Sequence, residues 1–203
     1  MMINPYVGSL ASAVLATKVR SRGSINIDVE LASRAVANEL RDCHARGGKV
    51  VLVGNGGSAA IASHTAIDLC KNAGVRAMAL NDAAALTCLA NDLGYEHAFA
   101  HQISQLGRRG DTLVAISSSG RSASILNAVA TARDYHQMVT ITMSGFAPDN
   151  PLRASDVWMS FYVPSDRYGF VELAHHVILH AITDALCAPP RYEDIRTAAE
   201  EMA

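Results

Sequence analysis

KVVLVGNGGSAAIASHTAID, residues 49–68, runs from a strand through a glycine-rich turn into a helix. Its first six residues are a short run rich in β-branched side chains, the composition of a strand buried on both faces. GNGGS, residues 54–58, permits close backbone approach and positive φ. The helix that follows presents its unbonded N–H groups to that turn. A buried strand feeding straight into a helix is half of a parallel βαβ unit.

The same alternation extends along the chain. Further strands are expected at residues 76–80, 112–116, 138–142 and 157–161. Helices are expected at 58–72, 83–90, 95–106 and 122–135, with a long final one from about 170 to 187. Strands alternating with helices indicate a doubly wound α/β fold, here a five-stranded parallel sheet flanked by helices. Two amphipathic helices precede it, at residues 5–20 and 28–45, joined by Ser21-Arg22-Gly23-Ser24. Asp28 is placed to cap the second of them and Gly47-Gly48 to end it. The chain reads as one domain: a helical extension over residues 1–47, an α/β core over 48–188, and a tail over 189–203 that opens with Pro189-Pro190.

At 203 residues, half of them hydrophobic, the chain can bury a core and is too apolar to be disordered. A net charge of −2 gives no global basic field for nucleic acid. Cys43, Cys70, Cys88 and Cys187 form no CxxC pair, which points to reduced structural thiols rather than a disulfide framework or a cysteine zinc site. The apolar run at residues 7–16 has its basic residues, Lys18 and Arg20, after it, the reverse of a signal peptide. No apolar stretch reaches spanning length. The expected setting is the cytoplasm, with no nucleic-acid or membrane partner.

In an open parallel sheet, ligands bind outside the carboxyl ends of the strands. Two loops belong at that edge. GNGGS offers Asn55, Gly56, Gly57 and Ser58. SSSGRS, residues 117–122, offers the hydroxyls of Ser117, Ser118, Ser119 and Ser122 beside another helix N-terminus, and Arg121 can add charge. Free N–H groups, hydroxyl donors and the positive end of a helix dipole suit a phosphate dianion. Either loop alone is as well read as a plain connector; two at one edge favour a ligand site. GNGGS is neither GxGxxG nor a Walker loop, lacking the GK[ST] ending, so nucleotide binding is disfavoured.

His64 and Asp68, four residues apart, share one face of the helix after GNGGS. Glu172, His176 and His180 recur every four residues on the final helix. Imidazoles and carboxylates converging from two helices can bind a divalent cation such as zinc, or supply an acid and a base. A single such histidine is more often an ordinary hydrogen-bonded one. A Glu and three His within nine residues of an apolar helix are harder to read as solvated surface. His175 and His176 are adjacent and so face different ways, which leaves the role of His176 open.

GNGGS, the His-x-x-x-acid after it, AND-x-GYE at residues 90–96, GD-x-L-x-AIS-x-SG-x-S at 110–122 and a final helix ending in VILH occur in one order. In these motifs the chain resembles the phosphoheptose isomerase family of the sugar isomerase (SIS) domain superfamily, over nearly its whole length. The resemblance implies a flavodoxin-like parallel sheet, a homotetramer with active sites close to subunit interfaces, and often zinc. It implies interconversion of sedoheptulose 7-phosphate and glycero-manno-heptose 7-phosphate.

By position, Ser117, Ser118, Ser119 and Ser122 would bind phosphate, Asn55 and Ser58 would lie near the substrate, and Asp92 would contact the sugar. His64, Asp68, Glu172 and His180 fall on the metal and acid/base positions. Asp68 is then the base and His180 the proton shuttle of an enediol mechanism, with Glu172 as the alternative base. Three residues depart from the family pattern: Asp68 replaces a glutamate, Glu172 a glutamine and Arg121 an asparagine. They keep two rivals in view, an isomerase of another ketose phosphate and a non-catalytic sugar-phosphate-binding adaptor.

Overall fold

The computed structural model describes residues 2–187; the expected tail at 189–203 lies outside the described residues. A helix α1 (Ile3–Leu15) leads into strands β1 (Lys18–Ser21) and β2 (Ile25–Ile27) and helix α2 (Val29–Ala45). Strand β3 (Val50–Gly54), helix α3 (Gly57–Lys71), strand β4 (Ala77–Ala79) and helices α4 (Ala83–Leu93) and α5 (Ala98–Leu106) follow. The second half runs β5 (Thr112–Ser117), α6 (Ala123–Ala130), β6 (Val139–Ser144), α7 (Pro151–Ala154), β7 (Met159–Tyr162) and α8 (Tyr168–Leu186).

All five expected strands are present and parallel, in the order β4-β3-β5-β6-β7. Numbered among themselves, that is the 2-1-3-4-5 order of a flavodoxin-like sheet, whose switch point lies between β3 and β5. Period-2 alternation then builds two cores. Val50, Leu52, Val114, Ile116, Ile141 and Met143 face a cluster that includes Val36 and Leu40 of α2, Leu69 of α3 and Ile178 of α8. Val51, Val53, Leu113 and Ala115 face Phe99 and Ile103 of α5 and Ile125 of α6. Asp111, from the GD of the fourth motif, is a buried anchor at the opposite sheet edge. It accepts the backbone N–H groups of Lys49 at 2.9 Å and Arg108 at 3.0 Å and pairs with Lys49 Nζ at 2.5 Å.

The N-terminal region departs from the expected pair of helices. The first helix stops at Leu15, and the stretch expected as its end and as a linker forms the hairpin β1–β2. β1 also pairs antiparallel with β7, so the sheet has seven strands and is mixed. Val19 explains the difference: it is buried between exposed Lys18 and half-buried Arg20, a strand alternation, and Gly23 at φ +74° makes the turn. The N-terminal region thus adds two strands to the sheet as well as two helices. α1 packs on α8 through Ala13, Phe170, Val171 and Ala174, with Tyr6 and Phe170 rings 4.8 Å apart.

Asp28 does cap α2, its Oδ1 accepting Glu30 N–H at 3.0 Å and Leu31 N–H at 3.2 Å. Asp28→Ala should cost about 1 kcal/mol of stability, measurable as a lower urea midpoint at unchanged slope. None of the described helices is long and apolar enough to cross a membrane.

Candidate active site

The carboxyl ends of β3, β5 and β6 set the site. Register places Gly54 beside Ile116, and Ser117 beside Ser144, so the two loops leave the sheet on adjacent strands. Asn55 joins them. Its Nδ2 donates to Ser122 Oγ at 2.8 Å and to Ser124 Oγ at 3.1 Å, while its Oδ1 accepts the Tyr95 hydroxyl at 2.5 Å. Tyr95 and Ser124 were not among the expected site residues. Tyr95 stands inside a quoted motif, as the Y of GYE, and Ser124 lies two positions past the end of another, but only the fold brings them to Asn55.

The serine loop is a hydroxyl-lined turn held from behind. Ser117 and Ser118 are buried, and the Ser118 Oγ has no partner among the described residues. A buried hydroxyl without a partner costs free energy unless a ligand supplies one. Ser119 Oγ accepts the Arg121 N–H at 3.3 Å, and Arg121 itself is exposed at the loop's tip. Gly120 has φ +64° and packs so tightly on buried Asn150 that a Cβ would overlap its Oδ1. Asn150 in turn donates to Ser144 Oγ, Gly145 O and Ala147 O and accepts Arg153 N–H at 2.8 Å. Ser58 is buried in the first turn of α3, and Gly56 and Gly57 are exposed there.

A second group lies along α3 and α8. Asp68 Oδ2 is 3.1 Å from His64 Nε2 and 3.5 Å from His180 Nδ1. The His64 ring stands edge-on to His176 at 4.9 Å and to His180 at 5.1 Å between centroids. His176 stacks on His180 at 4.5 Å. One nitrogen from each of the three histidines falls within 4.8 Å of the other two. Burial, then the neighbouring His180 and His64, push the His176 imidazole below its ordinary range, with Asp68 pulling the other way. The group is half open: the side chains of His64 and His180 are 48% and 43% exposed, that of Asp68 18%.

His175 turns the opposite way, fully buried, with Nε2 at 3.1 Å from the Ser144 carbonyl. His176, left open on sequence, is the one that joins His64 and His180.

Glu172, one turn before His176 on α8, falls outside the group of three histidines. Its carboxylate rests against Gly57, where a Cβ would lie 2.5 Å from Oε2, so a side chain at 57 would displace it. It makes no hydrogen bond or ion pair among the described residues. Asp92 lies in the last turn of α4, exposed, accepting Asn91 Nδ2 at 2.7 Å, and has no bond to either loop among the described residues. The structure therefore gathers Asn55, Gly56, Gly57, Ser58, the serine loop and Glu172 around one turn. It gathers His64, Asp68, His176 and His180 farther along the same two helices.

Residues 15–145 match the SIS domain family. Over 171 residues the chain is 38% identical to the phosphoheptose isomerase of Bradyrhizobium sp. (strain ORS 278), spanning 81% of this chain and 82% of that one. The structure of the phosphoheptose isomerase from Neisseria gonorrhoeae superposes with a TM-score of 0.77 at 30% identity, covering 91% of this chain and 97% of that one. That of a phosphoheptose isomerase from Francisella tularensis gives 0.76 at 29% identity, covering 91% and 96%. The cradle of hydroxyls at the switch point and the acid–imidazole group beside it are thus set in a chain that belongs to the phosphoheptose isomerase family of SIS-domain enzymes.

Proposed function

We propose that this enzyme interconverts sedoheptulose 7-phosphate and glycero-manno-heptose 7-phosphate by aldose–ketose isomerisation. The observation that carries the reading is the shared turn. Asn55 ties GNGGS to the serine loop, and two residues later an unpaired carboxylate, Glu172, stands over Gly57. The serine loop, with Ser118 Oγ still to be satisfied, grips the far phosphate. That binding energy holds the reacting end in place. Arg121 adds positive charge at the loop's edge, and Asp92, on α4, reaches the sugar.

In the ketose direction a carboxylate takes a proton from C1. The C1–H electrons form the C1=C2 bond, and the C2 carbonyl π electrons move to O2, giving an enediolate. The proton returns to C2 as His180 carries the hydroxyl proton from O1 to O2, so no atom is gained or lost. Glu172 is the better-placed base, because Asp68 already shares one oxygen with His64 and His180. Asp68 is the alternative.

The second group fits a divalent cation, zinc being the natural match for imidazoles with a carboxylate. Its holders would come from His64, Asp68, His180 and the neighbouring α8 residues. A bound cation would supply positive charge where negative charge develops on the sugar oxygens.

We also assign a cytoplasmic homotetramer. Ile3, Val7 and Leu15 of α1, Ile67 of α3, and Leu173 and Val177 of α8 are exposed apolar residues, some of them adjacent to the half-open histidines. A second subunit over that face would cover them and dry the site. The departures Asp68, Glu172 and Arg121 favour testing other ketose phosphates beside the heptose, and the retained acid–imidazole set favours an enzyme over an adaptor.

The test is NMR of the enzyme with sedoheptulose 7-phosphate in D₂O. Aldose signals, with deuterium at the carbon next to the carbonyl, are expected. Ligand shifts with no exchange would leave a binding protein, and exchange only with another ketose phosphate would reassign the substrate.

A further inference from the structure

We infer that His176 is a direct ligand of the cation, completing a site with His64, His180 and Asp68, and that Glu172 lies outside that site. This rests on the proposal that the enzyme holds a divalent cation, and it says which residues of this chain hold it.

Helix geometry separates the two candidates on α8. Residues 176 and 180 are one turn apart on one face, the spacing at which two histidines of a helix share an ion. Residues 172 and 180 are two turns apart, about 12 Å along the axis, and Glu172, although one turn from His176, is outside the histidine group. The contacts follow that arithmetic. His176 stacks on His180 at 4.5 Å and meets the His64 ring at 4.9 Å, and its ligand nitrogen closes the triangle of three within 4.8 Å.

The His176 Nε2 is buried without a partner among the described residues, although a donor or acceptor hidden from water is ordinarily bonded. A metal ion supplies what it lacks. Asp68 Oδ2, already between His64 Nε2 and His180 Nδ1, adds a carboxylate oxygen to the three imidazole nitrogens. Three imidazoles and one carboxylate make a tetrahedral donor set suited to zinc.

Glu172 is committed elsewhere. Gly57 is shaped to admit its carboxylate at the start of α3, beside the loop that meets the substrate. A histidine one turn further along α8 takes over the metal, and the acid is left free for proton transfer.

The test is zinc affinity of the full-length apoprotein, measured by competition with a chromogenic chelator for wild type, His176→Leu and Glu172→Gln. His176→Leu should weaken zinc by at least about 100-fold, since a direct ligand counts for more than the outer partners whose loss costs 10–100-fold. Glu172→Gln should leave the zinc constant unchanged. His176→Gln, which keeps a polar head, guards against misfolding. Its cobalt(II) form should lose the intense visible bands expected of a tetrahedral wild-type site, while circular dichroism stays native.

Undiminished affinity in His176→Leu, or a loss confined to Glu172→Gln, overturns the assignment and leaves a cation site of other composition. A wild-type protein that binds no zinc or cobalt overturns it together with the cation. The isomerase reading is judged separately, by deuterium exchange in D₂O.

Discussion

Glu172→Gln should lower kcat by about a thousand-fold, the middle of the range for removing a general base, with the Kd for inorganic phosphate unchanged. Glutamine keeps the shape and loses only the charge. The carboxylate makes no bond among the described residues, so its neutralisation strands no partner and the fold should be untouched. The measurement is C1 deuterium exchange, which isolates proton transfer from product release.

Asp68→Asn is the matched control, and it should fail differently. Its Oδ2 lies 3.1 Å from His64 Nε2 and 3.5 Å from His180 Nδ1, so the amide disturbs both imidazoles and loses zinc affinity along with activity. Gly57→Ala gives a third arm. A Cβ 2.5 Å from Oε2 must push the Glu172 carboxylate aside, and a displacement of about an ångström at a catalytic group costs about 100-fold. If Glu172→Gln and Gly57→Ala both turn over normally while Asp68→Asn loses exchange but keeps zinc, the base is Asp68.

The chain's α/β core was legible because its signals are local. Residues 49–68 contain a buried strand, a turn and a helix start within one window, and four more apolar runs repeat the pattern. The hairpin was not, since β1 and β2 are four and three residues long and owe their pairing to β7, far along the chain. Lys18 to Ser21 continue an amphipathic helix as acceptably as they begin a strand, and only the buried edge of β7 decides.

The site divides the same way. Residue types and spacing exposed His64, Asp68, Glu172 and His180 as one constellation. They could not say that Glu172 would lie at Gly57, because that depends on how far along α3 the helix α8 crosses. Nor could they choose between His175 and His176, two neighbours that differ only in which side of α8 faces β6. Asn150 left no signal at all. It acts through the back of the serine loop, 28 residues after Ser122 in a different βα unit.

Acidification should destabilise this protein through His175. The ring is fully buried on α8, and its Nε2 approaches a carbonyl, Ser144 O, at 3.1 Å. A carbonyl only accepts, so the proton sits on Nε2 and leaves Nδ1 bare and without a partner among the described residues. Burial pushes the imidazole down from 6.5 to about 4, against a smaller upward pull from the Ser144 carbonyl.

Above pH 6.5 the residue is neutral whether folded or unfolded and costs nothing. Between 6.5 and about 4 the unfolded chain takes up a proton that the folded one refuses, so stability falls with falling pH. The loss is about 2 kcal/mol by pH 5 and about 3 kcal/mol by pH 4. His175→Gln can still donate to Ser144 O but does not titrate. Urea unfolding at fixed protein concentration, which holds subunit association constant, should show the variant losing about one proton's worth less stability over that interval.

Equal losses in variant and wild type would assign the acid sensitivity to other groups. The same carbonyl accepts Val163 N–H at 2.9 Å, and the next residue, Gly145, donates to Ser118 O at 2.8 Å. The added proton goes to the buried Nδ1, away from that carbonyl, so the cost of charging His175 is that of a cation in the core behind the serine loop and not of a lost bond to Ser144.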